Sequence, residues 1–172
     1  MPNFIEDLNY GLNAKDKAYN LLIKNGYVLK DLRDDKTARA KGIDFLMTGY
    51  NNIENYNTTF FVKSDSYADK TGNMVYEIES YGSKGCMEKT QADILVYVTK
   101  KHTYLITIEK LRKYIEKKNP PLRKMGENSK GYFIRIALLL QDKIAREIKD
   151  ETKYEQFEDD EVFAQINEGA FI

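Results

Sequence analysis

Tryptophan is absent from this chain, and cysteine and histidine occur once each, as Cys86 and His102. A lone thiol cannot close an internal disulfide, so burial of apolar side chains must hold the fold. Cys86 has no histidine near it in sequence and reads as structural rather than nucleophilic. One histidine excludes any mechanism that needs two, and His102 stands in a lysine-flanked corner that suits an exposed turn. Proline is sparse, with three copies. Two of them, Pro120 and Pro121, are adjacent and must end any helix that precedes them. Net charge is missing as well: 27 basic and 27 acidic residues cancel, so no global field draws the chain to nucleic acid and only local patches can. No signal peptide and no apolar run of membrane-spanning length is visible, which points to a reducing, cytoplasmic setting. No internal repeat and no long low-complexity tract is present.

What is there reads as a soluble globular α/β domain. At 172 residues the chain is long enough to build a core without metal or disulfide staples. The expected arrangement is a single domain over 1–148, a mixed central sheet flanked by helices, followed by an acidic, loosely attached tail over 149–172. Helical spacing of Leu8, Leu12, Ala18, Leu21 and Leu22 predicts a helix over 4–25, with a cap at Asn13 or Asp16 and a stop at Asn25-Gly26. A short strand over 27–32 leads into a charged connection, 31–41. Its basic residues Arg33, Lys36, Arg39 and Lys41 suit a solvated loop, or one that carries a phosphodiester backbone.

Strands are expected over 42–47, 58–64 and 74–80, with loops at 48–57, 65–73 and 81–91. The run Ile94 to Val98 is continuously apolar and predicts a strand buried on both faces. A strand over 104–107, a helix over 109–118, a loop over 123–130, a strand over 131–136 and an amphipathic helix over 137–148 complete the chain.

The chemistry gathers between Gly42 and Val98. The apolar strand Ile43-Asp44-Phe45-Leu46-Met47 carries one acid, whose burial costs several kcal/mol without a metal or a base beside it. At the end of a strand facing water it escapes that cost. If the strands 58–64 and 74–80 pair as an antiparallel hairpin, Phe61, Lys63 and Asp65 share one face, and Lys63 stands opposite Glu77 with Phe61 opposite Glu79. Such a group can hold a divalent cation on carboxylate oxygens beside an ammonium. The plainer reading is a cross-strand ion pair worth about 0–1 kcal/mol if exposed. Asp65 at the loop entrance and Thr71-Gly72-Asn73 read as turn formers, and Asp93 as ordering the loop before its strand.

The order Gly42-Ile43-Asp44, then Val62-Lys63-Ser64-Asp65, then Thr71-Gly72-Asn73 with Glu77-Ile78-Glu79-Ser80, then Thr90-Gln91-Ala92-Asp93, resembles small phage and prophage proteins of the PD-(D/E)XK nuclease superfamily. The resemblance spans roughly residues 13–140. It implies a restriction-endonuclease-like fold and a metal-dependent nuclease acting on DNA, with Asp44 binding Mg2+ or Mn2+ and Lys63 as the catalytic lysine. Phe61 departs from the pattern, because it stands where a second acid is expected. Either the site is silent, or the carboxylate has moved to the neighbouring strand as Glu77 or Glu79, with the Val62 carbonyl as a further ligand.

Nucleic acid is the partner this implies, with Lys70, Lys84 and Lys89 on phosphates and Tyr67 and Tyr81 stacking on bases. Tyr76, on the opposite face from Glu77, is expected in the core. The alternative is an inactive nuclease fold that binds nucleic acid or a host defence protein, in the host cytoplasm if phage-encoded. Branched-DNA enzymes of this fold often act as dimers, so a homodimer is a further expectation.

Overall fold

The computed structural model describes the backbone of residues 4–150 and the side chains of 9–150. The chain opens with α1 (Phe4–Lys24), whose Ala14, Ala18, Leu21 and Leu22 are buried at helical spacing. Asn13 and Asp16, expected as caps, lie inside the helix. Gly26 ends it with φ 87, a conformation that glycine adopts without strain. β1 (Tyr27–Asp31) follows. The charged connection then forms one short helix, α2 (Lys36–Ala40), capped by Asp35, which accepts from the Ala38 N–H at 2.8 Å.

β2 (Phe45–Tyr50) and β3 (Ile53–Ser64) form a hairpin around Asn51 and Asn52, both at positive φ. Two consecutive left-handed residues make the tight turn whose twist matches antiparallel strands. Most of the segment expected as a loop is therefore strand. The remaining elements are α3 (Ala68–Thr71), β4 (Asn73–Ser80), β5 (Ser83–Lys84), α4 (Cys86–Lys89), β6 (Ile94–Val98), β7 (Thr103–Thr107), α5 (Ile108–Lys118), β8 (Leu122–Lys124), β9 (Ser129–Arg135), α6 (Ile136–Gln141) and β10 (Ala145–Glu147).

These strands form two sheets. The larger is mixed and open, in the order β1-β2-β3-β6-β7-β10, with β3 and β6 parallel and the other pairs antiparallel. The smaller has the order β5-β4-β9-β8 and is antiparallel throughout. The α/β class with a mixed sheet flanked by helices is as expected, and the second sheet is an addition. All five residues of β6 are buried, so it must lie inside the large sheet with neighbours on both edges.

That requirement overturns the expected pairing of the second and third central strands. β3 gives its edges to β2 and β6, while β4 gives its edges to β5 and β9. Lys63 is in register with Tyr97 rather than with Glu77, and Glu77 with Gly131. The helix expected over 137–148 also ends early. Lys143 turns at φ 52 and the chain pairs as β10 with the free edge of β7. Long-range strand pairing outweighs the local helical pattern there. The acidic tail lies outside the described residues from 151 onward.

Two cores sit on the two faces of the large sheet. On one face α1 packs through Ala14, Ala18 and Leu22 against Phe45, Met47, Phe60, Val62, Val96 and Val98. On the other, Leu95, Tyr97 and Ile106 meet Met74, Tyr76 and Ile134 of the small sheet together with Leu111 and Ile115 of α5. Asn119 closes α5 in the left-handed conformation, immediately before Pro120.

Candidate functional site

Asp44 immediately precedes β2 and is 5% exposed. Both of its carboxylate oxygens face donors. Oδ1 accepts from Lys15 Nζ at 2.6 Å, and Oδ2 accepts from the Val62 N–H at 2.8 Å. Its own backbone continues the bonding, since its N–H reaches the Phe60 carbonyl at 2.8 Å and its carbonyl takes the Leu32 N–H at 2.9 Å. The acid therefore ties α1, β2 and β3 together. Sequence reasoning missed Lys15. No local signal marks it: beside Ala14 on α1 it resembles any solvated lysine, and only the fold lets its long stem lie along the core and deliver its head to a buried charge.

Lys63 points to the other side, toward the small sheet. Its Nζ lies 3.4 Å from Glu77 Oε2, and the Cys86 Sγ–H donates to that same oxygen at 3.0 Å. The expected meeting of Lys63 and Glu77 is thus realised across two sheets rather than along one hairpin. β4 carries a bulge between Glu77 and Glu79. A bulge bends the strand and re-aims its side chains, which separates the fates of the two acids. Glu77 is 13% exposed in its side chain and turns to Lys63, whereas Glu79 pairs with Lys130 at 2.6 Å on the surface.

The electrostatics of this trio follow from its partial burial. Burial, the largest influence on Glu77, pushes its carboxyl up, but the Cys86 hydrogen bond and the Lys63 charge outweigh it and leave it below its ordinary value. For Lys63, burial pulls the ammonium down, and the negative charge available on Cys86 and Glu77 reverses this to a net rise. Burial pushes the Cys86 thiol up to about 11. At neutral pH it is a protonated donor to Glu77, so Glu77 is the anion that holds Lys63 charged. Such a thiol is no nucleophile, in keeping with its structural reading.

Phe61 packs into the core between the sheets. The position expected to carry a second acid is a partly buried apolar contact between layers, where a carboxylate would lose much of its hydration. Gly85 permits the approach of α4 to β4, because a Cβ there would fall 2.4 Å from the Glu77 carbonyl oxygen. Asp65 accepts from the Tyr67 and Ala68 N–H groups at 2.8 and 3.1 Å and from Tyr97 Oη at 2.5 Å, a turn role as expected. Asp93 Oδ2 accepts from the Thr59 N–H and hydroxyl at 2.8 and 2.7 Å. His102 Nδ1 meets Glu147 at 2.7 Å in a half-exposed turn. In the basic connection, Arg33 is occupied by Asp16 and Asp31, each at 2.6 Å.

Tyr67 and Tyr81 are 64% and 80% exposed, and Lys70, Lys84 and Lys89 are exposed. None of those three lysines has a carboxylate partner among the described residues. Tyr76 is buried and donates to the Met87 carbonyl at 3.2 Å.

The expected cation does not fit the residues as they stand. A divalent ion needs carboxylate lone pairs directed at one point. Asp44 offers its lone pairs to an ammonium and an amide, Glu77 to an ammonium and a thiol, and Glu79 to Lys130. Val62, expected to lend a carbonyl, meets Asp44 through its N–H. Among the described residues no three side chains of histidine, cysteine, aspartate or glutamate are grouped to hold a metal. Compared with protein-family models, curated proteins and solved structures, the chain matches none. Among the described residues no helix is long and apolar enough to cross a membrane.

Proposed function

We propose that this protein engages nucleic acid, DNA favoured, through a nuclease-like α/β fold, and that the state described here binds the phosphodiester backbone without hydrolysing it. The observation that carries the non-hydrolytic part of this reading is Asp44, whose two oxygens both already accept from donors. Support for the ligand comes from Lys63, held charged beside Glu77, and from the exposed Lys84, which precedes α4, and Lys89, its last residue. Ammonium groups of this kind attract phosphate as point charges. A metal-dependent phosphodiesterase is the second reading. The Lys63–Glu77 separation of 3.4 Å favours it, being loose for a charge-assisted hydrogen bond and leaving the lysine available to another anion.

The test incubates the purified chain with linear duplex, circular single-stranded and branched DNA in manganese or magnesium, alongside Lys63→Ala and Glu77→Ala. The expected result is a mobility shift that persists in chelator, weakens in Lys63→Ala, and is accompanied by no cutting. Metal-dependent cutting abolished by both substitutions would replace this reading with the hydrolytic one.

A further inference from the structure

β3 and β6 are the parallel pair of the large sheet, and ligands of open α/β sheets gather outside the carboxyl ends of such strands. At that end the structure forms a cleft of about 370 Å³, lined by Ser66, Tyr67, Asp69, Lys70, Lys100 and Lys101. Its charge is mainly positive, with three lysines against one aspartate. Lys70, Lys100 and Lys101 are exposed and have no carboxylate partner among the described residues.

Asp69, the one acid in the lining, accepts from Thr99 Oγ1 at 2.7 Å and from the Lys101 N–H at 3.0 Å. Its carboxylate fixes the 99–102 turn and so holds Lys100 and Lys101 at the rim rather than neutralising them. Nearby Asp65 is likewise occupied by Tyr97 and the turn into α3. Tyr67 stands in the same lining with most of its ring exposed.

We infer that this cleft is the seat of one unpaired nucleotide of a single strand, its phosphates on Lys70, Lys100 and Lys101 and its base stacked on Tyr67. The inference rests on the nucleic-acid reading above and narrows it to single strands. Stacking on an exposed tyrosine requires a base free of its complement, and every base offers a π-face, so the site selects strandedness rather than sequence. Tyr67 is four residues beyond Lys63, a reach of at most about 14 Å along the chain. That is the scale of two nucleotides, so a strand seated in the cleft can pass the Lys63–Glu77 pair.

Fluorescence anisotropy of the full chain with a labelled dT20 strand and with a 20-base-pair duplex tests this at two salt concentrations. Tighter binding of dT20, a loss of about fivefold or more for Tyr67→Ala confined to the single strand, and a salt slope shallower by about 0.7 for each of Lys100→Ala and Lys101→Ala are expected. Near-identical affinity of Tyr67→Ala and Lys100→Ala/Lys101→Ala proteins, with loss in Lys84→Ala/Lys89→Ala, overturns the cleft while leaving the nucleic-acid reading standing. No binding of either probe by the unsubstituted protein overturns both. Circular dichroism of each variant confirms its fold.

Discussion

The two faces of the large sheet treat their charges differently. On the α1 side Asp44 is closed: it is almost fully buried, and each oxygen holds a short bond, 2.6 Å to Lys15 and 2.8 Å to Val62. On the small-sheet side the Lys63–Glu77 pair is open, at 3.4 Å, although the side chains of Lys15 and Lys63 are equally exposed, at 34%. Charge-assisted bonds of nitrogen to carboxylate oxygen normally lie near 2.7–2.9 Å. The closed acid behaves as a staple between three elements, and the open pair as a surface for an incoming anion. Neighbours in sequence, Val62 and Lys63, thus serve opposite ends: the backbone N–H of Val62 points along the sheet to Asp44, whereas the side chain of Lys63 leaves the sheet toward Glu77.

Substitutions can sharpen this contrast. The largest effect is expected at Asp44→Ala, which leaves the Val62 N–H buried without its acceptor and Lys15 without its counter-charge. A loss of about 2–4 kcal/mol in urea-induced unfolding is expected. Asp44→Asn keeps an acceptor for Val62 and should lose less. Equal losses for the two would show that the N–H contributes little to the staple.

An intermediate effect is expected at Lys63→Met, and it appears in pH rather than in overall stability. Glu77 titrates below its ordinary value in the folded protein, so its contribution is present above about pH 4.5 and is lost as the pH falls through the folded value. Without Lys63, burial pushes the carboxyl up against only Cys86 and Ser80. Carbon-detected NMR titration should then place Glu77 higher than in the unsubstituted chain, and an unmoved titration would contradict the pair. The smallest effect is expected at Glu79→Ala. Its pair with Lys130 is about two-fifths exposed on each side, so stability should change by less than about 1 kcal/mol. A loss as large as that of Asp44→Ala would erase the distinction between staple and surface pair.

Local signals made much of the fold legible. The apolar stripe of α1, the Asn25-Gly26 stop, the apolar run of β6 and the Pro120-Pro121 break each act through neighbours in the chain. The second sheet was hidden because β4 buries Met74 and Tyr76 on one face, as a strand of the central sheet would. Its true partner, β9, lies about 50 to 60 residues away and leaves no local mark. The Lys63–Glu77 contact was legible for a reason that proved wrong: the chemistry of the pair survived a change of sheet. Lys15 was not, since a helical lysine beside an apolar stripe looks like any solvated side chain until β2 brings Asp44 to it.

The state of Asp44 is most directly read by calorimetric titration of manganese into the unsubstituted protein and into Lys15→Met. With the carboxylate held by Lys15 and the Val62 N–H, the unsubstituted chain should show no saturable heat up to millimolar metal, and Lys15→Met, which frees one oxygen, should gain a weak site that Asp44→Ala removes. Stoichiometric manganese binding by the unsubstituted chain, lost in Asp44→Ala, would contradict the closed staple and restore the metal-dependent nuclease.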